Sequence, residues 1–302
     1  MHPHWQGVFP AVTTQLRPDQ SLDLEATARH IETLVASGVS GLIMCGSLGE
    51  NQALDPAEKR RVVELAVRTA RGRVPVLSGV AESSTAAACR YVADCGQLGV
   101  AGFMVMPAMT YPADPREACG YFRTIAAATT LPWMLYNNPV SYAVDITPAQ
   151  FCELVDVQNL VAIKESSGNP RRITELRLAV GDRFALFTGV DDLILETSIL
   201  GIDGWVAGAG IAFPHENQHF WELTRAGRWD EARAMYRWFS PLLKLDVHPK
   251  FVQYIKLCLQ ETGLGAEWVR APRMPLAGEE REQVLRIIRA GIAGRPSQSE
   301  KS

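Results

Sequence analysis

The 302-residue sequence has no C-x-x-C pair, no dense basic block and no run of 18 uninterrupted apolar residues, and each absence closes off a class of function. Without paired cysteines there is no sign of a zinc ribbon or a dithiol redox centre; Cys45, Cys89, Cys95, Cys119, Cys152 and Cys258 are scattered and read as buried, reduced thiols. Lys plus Arg number 30 against 33 Asp plus Glu, so no electrostatic footprint for nucleic acid or an anionic membrane is present. No segment is apolar enough to span a bilayer, and MHPHWQGVFP lacks the charged and apolar regions of a signal peptide. A cytoplasmic protein acting on a small-molecule substrate, with no nucleic-acid or membrane partner, is expected. Also missing are a G-x-G-x-x-G after the first apolar run and any Walker A sequence, which argues against an open dinucleotide-binding or nucleotide-binding sheet.

What is there is a repeated alternation. Eight short apolar runs, GVFPAVTT, GLIMCGS, VPVLSGV, GFMVMPA, LPWMLYNN, LVAIKES, FALFTGV and GWVAGAGI, start at Gly7, Gly41, Val74, Gly102, Leu131, Leu160, Phe184 and Gly204. Helical patterns separate them, as in the stretch from Asp55 to Gly72. There Val62, Val63, Leu65, Ala66 and Ala70 form one apolar face, Asp55 caps the start, Pro56 suits the first turn and Gly72 ends it. Continuously apolar strands belong to parallel sheets buried on both faces. Eight βα units in this length predict an α/β fold, a (β/α)8 TIM barrel over residues 1–213. Residues 214–294 read as helix only, a C-terminal helical extension packed on the barrel, and residues 295–302 as a disordered tail.

The C-terminal ends of barrel strands form the active face. Strand two ends in CGSLGEN, strand five in YNNP and strand six in KESSG. Alternation puts Lys164 with Ala162 and Leu160 on one strand face, opposite Val161 and Ile163. Pointing into the barrel mouth, Lys164 becomes a partly dry amine able to attack a carbonyl or imine carbon; the other reading is a rim lysine paired with a carboxylate. Glu165, on the opposite face, is expected to be a structural partner. Tyr136, on the neighbouring strand, either relays protons in the same space or packs. Gly46 to Glu50 offers backbone N–H groups suited to a carboxylate, or a plain turn. HENQH, from His215 to His219, matches a zinc-binding spacing, but Pro214 puts His215 in a first turn; chance is the preferred reading, with no metal and no cofactor expected.

GSLGE, YNNP and the lysine of VAIKESSG, with TGVDD (Thr188 to Asp192) and RAPRMPL (Arg270 to Leu276), stand in an order and spacing that resembles the dihydrodipicolinate synthase and N-acetylneuraminate lyase family of Schiff-base-forming barrels, from Gly7 to about Leu276. The resemblance implies Lys164 as the Schiff-base lysine and Tyr136 as the proton shuttle. It implies further that the N–H groups of Ser47 and Leu48 hold the carboxylate of a 2-oxo acid, that the Ser47 hydroxyl joins the tyrosine's hydrogen-bond chain, and that the Val206 carbonyl lies close by. A homotetramer, a dimer of dimers, is the implied assembly. Departures narrow the substrate: Leu48 stands for a threonine of the synthases, Met109 lies near the place of a tyrosine, and YNNPVSYAVD has Ser141 and no arginine before Arg171. The set with MCGSLGEN, VLSGVAE and HPKFVQYIKL most resembles the 1-pyrroline-4-hydroxy-2-carboxylate deaminases, which act on a cyclic imine and release ammonia. Asn138 or Ser141 would then contact the C4 hydroxyl. The alternatives are a 2-keto-3-deoxy-sugar-acid aldolase or dehydratase, a dihydrodipicolinate synthase-like enzyme, and a non-catalytic barrel that binds a 2-oxo acid.

Overall fold

The computed structural model describes residues 5–108 and 111–296. Its eight strands are the eight apolar runs: β1 Gly7–Val8, β2 Leu42–Met44, β3 Val76–Val80, β4 Gly102–Val105, β5 Trp133–Asn137, β6 Leu160–Glu165, β7 Ala185–Thr188 and β8 Gly204–Trp205. All pair in parallel in the order β1-β8-β7-β6-β5-β4-β3-β2, and Ala11 pairs with Ile43 to bring the two ends together. Bonds from Ala11 N to Ala207 O (2.8 Å) and from Val12 N to Ile43 O (2.9 Å) complete that closure. The first run yields only two regular strand residues because Pro10, with no N–H, interrupts its ladder.

Twelve helices lie among the described residues. Those of the barrel are α1 Leu24–Ala36, α2 Pro56–Ala70, α3 Thr85–Gln97, α4 Pro115–Ala127, α5 Pro139–Tyr142, α6 Pro148–Cys152, α7 Arg171–Val180 and α8 Ile194–Ile199. The Asp23 carboxylate accepts from Ala26 N at the start of α1. Asp55 with Glu58 and Asp114 with Glu117 form reciprocal capping boxes that open α2 and α4 on a proline. Arg71, in the left-handed region at φ 52°, closes α2 one residue before the expected Gly72. The buried faces of these helices meet strands that are themselves fully buried, which is why near-continuous apolar runs were needed.

Beyond the barrel, α9 Pro214–Arg225, α10 Trp229–Leu243, α11 Phe251–Glu261 and α12 Gly278–Ala293 form the helical extension. α10 packs on α9 and α12, while α11 packs on α12 and on two 3-10 turns, Ala209–Ala212 and Lys244–Val247. A buried ion pair, Lys256 Nζ to Glu50 Oε1 at 2.5 Å, ties α11 to the loop after β2. The other Glu50 oxygen accepts from Arg270 N at 2.9 Å. The expectation of buried thiols holds for Cys45, Cys95, Cys119 and Cys258 but not for Cys152, which is exposed, or Cys89, which is half-buried on α3. Both lie on barrel helices rather than on the strands. The described part of the tail ends at residue 296, and Met109 lies outside the described residues.

Candidate active site

The register of β5 on β6 sets Tyr136 directly beside Lys164, so their side chains leave the same face of the sheet. Both are buried, and the Lys164 amine stands 3.7 Å from the centre of the Tyr136 ring. Among the described residues no carboxylate lies within ion-pair distance of that amine, so it is not a paired rim lysine. Burial lowers its pKa, while the acidic groups near it, Tyr142, Asp246 and Asp191, pull the other way. Room for the lysine comes from Gly189: a Cβ there would sit 2.2 Å from Lys164 Cε and 2.3 Å from Ser166 Oγ. Glu165 points away and is spent structurally, accepting from Asn137 Nδ2 (3.0 Å) and Ser167 N (2.6 Å).

Burial raises the pKa of the Tyr136 hydroxyl, which accepts a 3.0 Å hydrogen bond from Asn138 Nδ2. Asn138 is also the N-cap of α5, its Oδ1 accepting from Ser141 N at 2.9 Å. It thus holds Tyr136 and starts the helical turn, and it also lines the cavity, where its second amide N–H is left for a ligand. Ser141 is exposed at the cavity wall.

Ser47 was expected in the hydrogen-bond chain of Tyr136, and a second tyrosine stands beside it. The Ser47 hydroxyl shares a hydrogen bond with the hydroxyl of Tyr142, whose ring stands edge-on to Tyr136 at 5.4 Å. The single helical turn Pro139–Tyr142 brings that second tyrosine back over the first. Its signal in the sequence was the proline three residues before it, which starts a turn of helix. The N–H groups of Ser47 and Leu48 meet no protein acceptor among the described residues, as an anion-binding loop requires. Leu48 is buried, and both residues line the same cavity as Val206.

The cavity measures about 570 Å³. Lys164, Tyr136, Ser47, Leu48, Asn138, Ser141 and Val206, far apart in sequence, all line it. Asp246, His248 and Arg273 line it too; all three come from the helical extension, and reading the strand ends did not point to them. Asp191, just beyond β7, is a buried carboxylate pushed up to about 6 by burial. It accepts from Trp205 Nε1 (2.9 Å), Gly208 N (3.1 Å) and Ala209 N (2.6 Å). The HENQH histidines His215 and His219 face solvent on α9, away from the cavity, and Glu216 between them is bound to Arg295 at 2.5 Å. Burial pushes the Cys45 thiol up to about 12, as suits a core cysteine.

A sequence model of the dihydrodipicolinate synthetase family matches residues 4–291. The chain belongs to the dihydrodipicolinate synthetase family. It is a Schiff-base lyase of that family. Two curated relatives are both called 4-hydroxy-tetrahydrodipicolinate synthase: one from Phenylobacterium zucineum, 32% identical over 298 residues (96% of this chain, 99% of the relative), and one from Halalkalibacterium halodurans, 30% identical over 277 residues (92% and 94%). Among solved dihydrodipicolinate synthetase family members, a putative dihydrodipicolinate synthetase from Pseudomonas aeruginosa superposes with a TM-score of 0.90 at 28% identity, covering 95% of this chain and 99% of that one. YagE, a prophage protein of the family from E. coli K12 in complex with pyruvate, superposes with a TM-score of 0.88 at 26% identity, covering 96% and 99%.

Proposed function

We propose that this chain is a Schiff-base deaminase acting on 1-pyrroline-4-hydroxy-2-carboxylate and releasing ammonia and 2-oxoglutarate semialdehyde. The observation that carries it is the wall opposite Lys164. Among the described residues the stretch after YNNP presents Ser141, and Arg172 beyond it is bound to the Asp145 carboxylate at 3.0 Å, so this stretch brings no arginine to the cavity; the arginine that lines it, Arg273, comes from the helical extension and lies 3.8 Å from Glu50 Oε2. A cavity with one carboxylate-binding loop and one buried amine suits a single small imino acid.

In this reading the substrate carboxylate meets the N–H groups of Ser47 and Leu48, which sets C2 over Lys164. The neutral amine attacks C2 of the cyclic imine and opens the ring to a Schiff base on the lysine. The protonated Schiff base acts as an electron sink, so a C3 proton becomes acidic; Tyr136, its hydroxyl fixed by Asn138, takes part in removing it. The C4 hydroxyl leaves as water with a proton relayed by the Ser47 and Tyr142 hydroxyls. Tautomerisation and hydrolysis then free ammonia and the semialdehyde from Lys164.

A second reading, a synthase condensing a 2-oxo acid with an aldehyde, is favoured by the name that the curated relatives carry. Purified protein incubated separately with the hydroxypyrroline, with pyruvate plus aspartate semialdehyde, and with a 2-keto-3-deoxy sugar acid separates the readings. Ammonia from the first mixture is the expected result; pyruvate release from the third, or condensation in the second, without ammonia from the first would sink the deaminase.

A further inference from the structure

Two carboxylates from different parts of the chain lie close to Lys164, and they differ in one respect. Asp191 is saturated by the N–H groups of Trp205, Gly208 and Ala209 and fixes the turn after β8. Asp246 comes from the 3-10 turn Lys244–Val247, outside the barrel, and lines the cavity with Lys164. Among the described residues its carboxyl has no hydrogen-bond or ion-pair partner. Its place is made for it by Gly208: a Cβ on that residue would fall 2.2 Å from Asp246 Oδ1, so any side chain there would evict the carboxyl. The turn is anchored by buried Leu245 and packs on α10, α11 and the 3-10 turn Asp191–Leu193, so the carboxyl is carried on a supported element. Burial, together with the Asp191 charge, pushes the Asp246 pKa well above the usual carboxylate range, while Lys164 is pushed down. Burial thus pushes both the acid and the amine towards their neutral forms.

A cyclic imine makes a sharper demand for a proton than a plain 2-oxo acid, whose carbinolamine can expel hydroxide. To open the ring, the nitrogen bonded to C2 must leave as an amine, and an amine anion does not leave without a proton. We propose that Asp246 is a catalytic acid–base residue that protonates the ring nitrogen, and so selects substrates in which a nitrogen, rather than an oxygen, is displaced from C2. This rests on the reading of Lys164 as the Schiff-base nucleophile on a cyclic imine. As Lys164 Nζ bonds to C2, the C2–N1 π pair moves to N1, which takes the Asp246 proton. The resulting carboxylate removes a proton from the Nζ ammonium and is again a neutral acid. The Nζ lone pair then forms the C2–Nζ double bond, the C2–N1 bonding pair goes to N1, and N1 takes the proton of Asp246 a second time. The products are a primary amine on the opened chain, a protonated Schiff base on Lys164 and the Asp246 carboxylate, which is its counter-ion; three protons and zero net charge are present before and after.

Asp246→Asn keeps the shape and removes the proton. The full chain and the variant are each mixed with 4-hydroxy-1-pyrroline-2-carboxylate, read as ammonia release, and with pyruvate plus borohydride, read as mass added at Lys164. The expected result is that the ratio of imine turnover to pyruvate trapping falls about a hundredfold or more, the usual scale of a lost general acid. An unchanged ratio overturns the proposal, whether both rates are kept or both fall together; in the latter case Asp246 only shapes the pocket. Pyruvate trapping in the wild type without any turnover of the imine also overturns it, while leaving the Schiff-base reading intact; a wild type that traps neither ligand removes both. If the amide variant is insoluble, Asp246→Ser is read in the same way, with pyruvate trapping reporting its folded sites.

Discussion

Of the three lysines buried among the described residues, Lys164 and Lys256 do opposite things, while Lys59 is paired with Glu82. Lys256, on α11, reaches a carboxylate and a carbonyl: Glu50 Oε1 at 2.5 Å and Trp268 O at 2.7 Å. Lys164, on β6, has no ion-pair partner among the described residues and meets the face of the Tyr136 ring. Burial lowers both, but at Lys256 the Glu50 charge and hydrogen bond oppose it directly. A buried ammonium with a matched partner is a fastening; one without is under pressure to lose its proton, and a lysine without its proton is a nucleophile. The contrast also divides the GSLGE motif: Ser47 and Leu48 line the cavity, whereas Glu50 faces the other way and holds the helical extension in place.

The comparison breaks most visibly in catalysis. Lys164→Ala should cost on the order of ten-thousand-fold or more in turnover, as removal of a covalent nucleophile does elsewhere, with the thermal midpoint unchanged or raised. Ammonia release and a melting curve on the same sample check it, and substantial residual turnover would return Lys164 to the role of a packing residue. Lys256→Met should do the reverse. It leaves Glu50 buried with its close ion partner gone and only Arg273, 3.8 Å away, opposite its charge, at a cost of about 3–5 kcal/mol in stability by denaturant unfolding. The double variant Lys256→Met with Glu50→Gln should recover much of that loss, since the uncompensated charge is then gone too. A single variant as stable as the parent would show that Glu50 is held well enough by Arg270 N and the Arg273 guanidinium.

Much of this was legible in the sequence. All eight strands announced themselves, because a strand buried on both faces has to be a continuous apolar run and little else in the chain is. Lys164 stood out for the same reason: it is a charge at the end of such a run, and period two sends it to the face opposite Ile163. The C-cap of α2 was missed by one residue, since Arg71 accepts a left-handed conformation that glycine usually takes. Asp246, by contrast, was hidden. Nothing local distinguishes an aspartate in LLKLDVHP, and its meaning comes from packing that returns it to the mouth of strands closed some 40 residues earlier, over a glycine that leaves it room. Tyr142 was obscured differently: the expectation put Ser47 in the hydrogen-bond chain of Tyr136, and only the one-turn helix after Pro139 brings a second tyrosine hydroxyl to it. Strand-end chemistry can be read from periodicity, but contributions that depend on how later segments fold back cannot.

The smallest effect sharpens the comparison most, because it asks what burial alone does. Lys164→Met removes the unpaired amine and keeps its bulk, so it should stabilise the fold by about 1–2 kcal/mol at neutral pH, within the range seen when buried ionic groups give way to apolar ones. The sign with pH follows from the direction of the shift. The pKa of Lys164 is lower folded than the ordinary 10.5, so between those two values the unfolded chain binds more protons than the native one, and wild-type stability rises with pH there. Below the lowered value the penalty is fully present; above 10.5 it is gone. The advantage of Lys164→Met over wild type should therefore shrink steadily on the alkaline side, a difference in which the titration of groups that do not feel Lys164 cancels; Asp191 and Asp246 do feel it, and Asp191 titrates at about 6, below the alkaline side. Denaturant midpoints of the two proteins measured from pH 6 to 10.5 test it. An advantage that does not shrink with rising pH would mean that the Lys164 amine keeps its proton in the folded state, and that Tyr136 and the charges beyond it hold this lysine much as Glu50 holds Lys256.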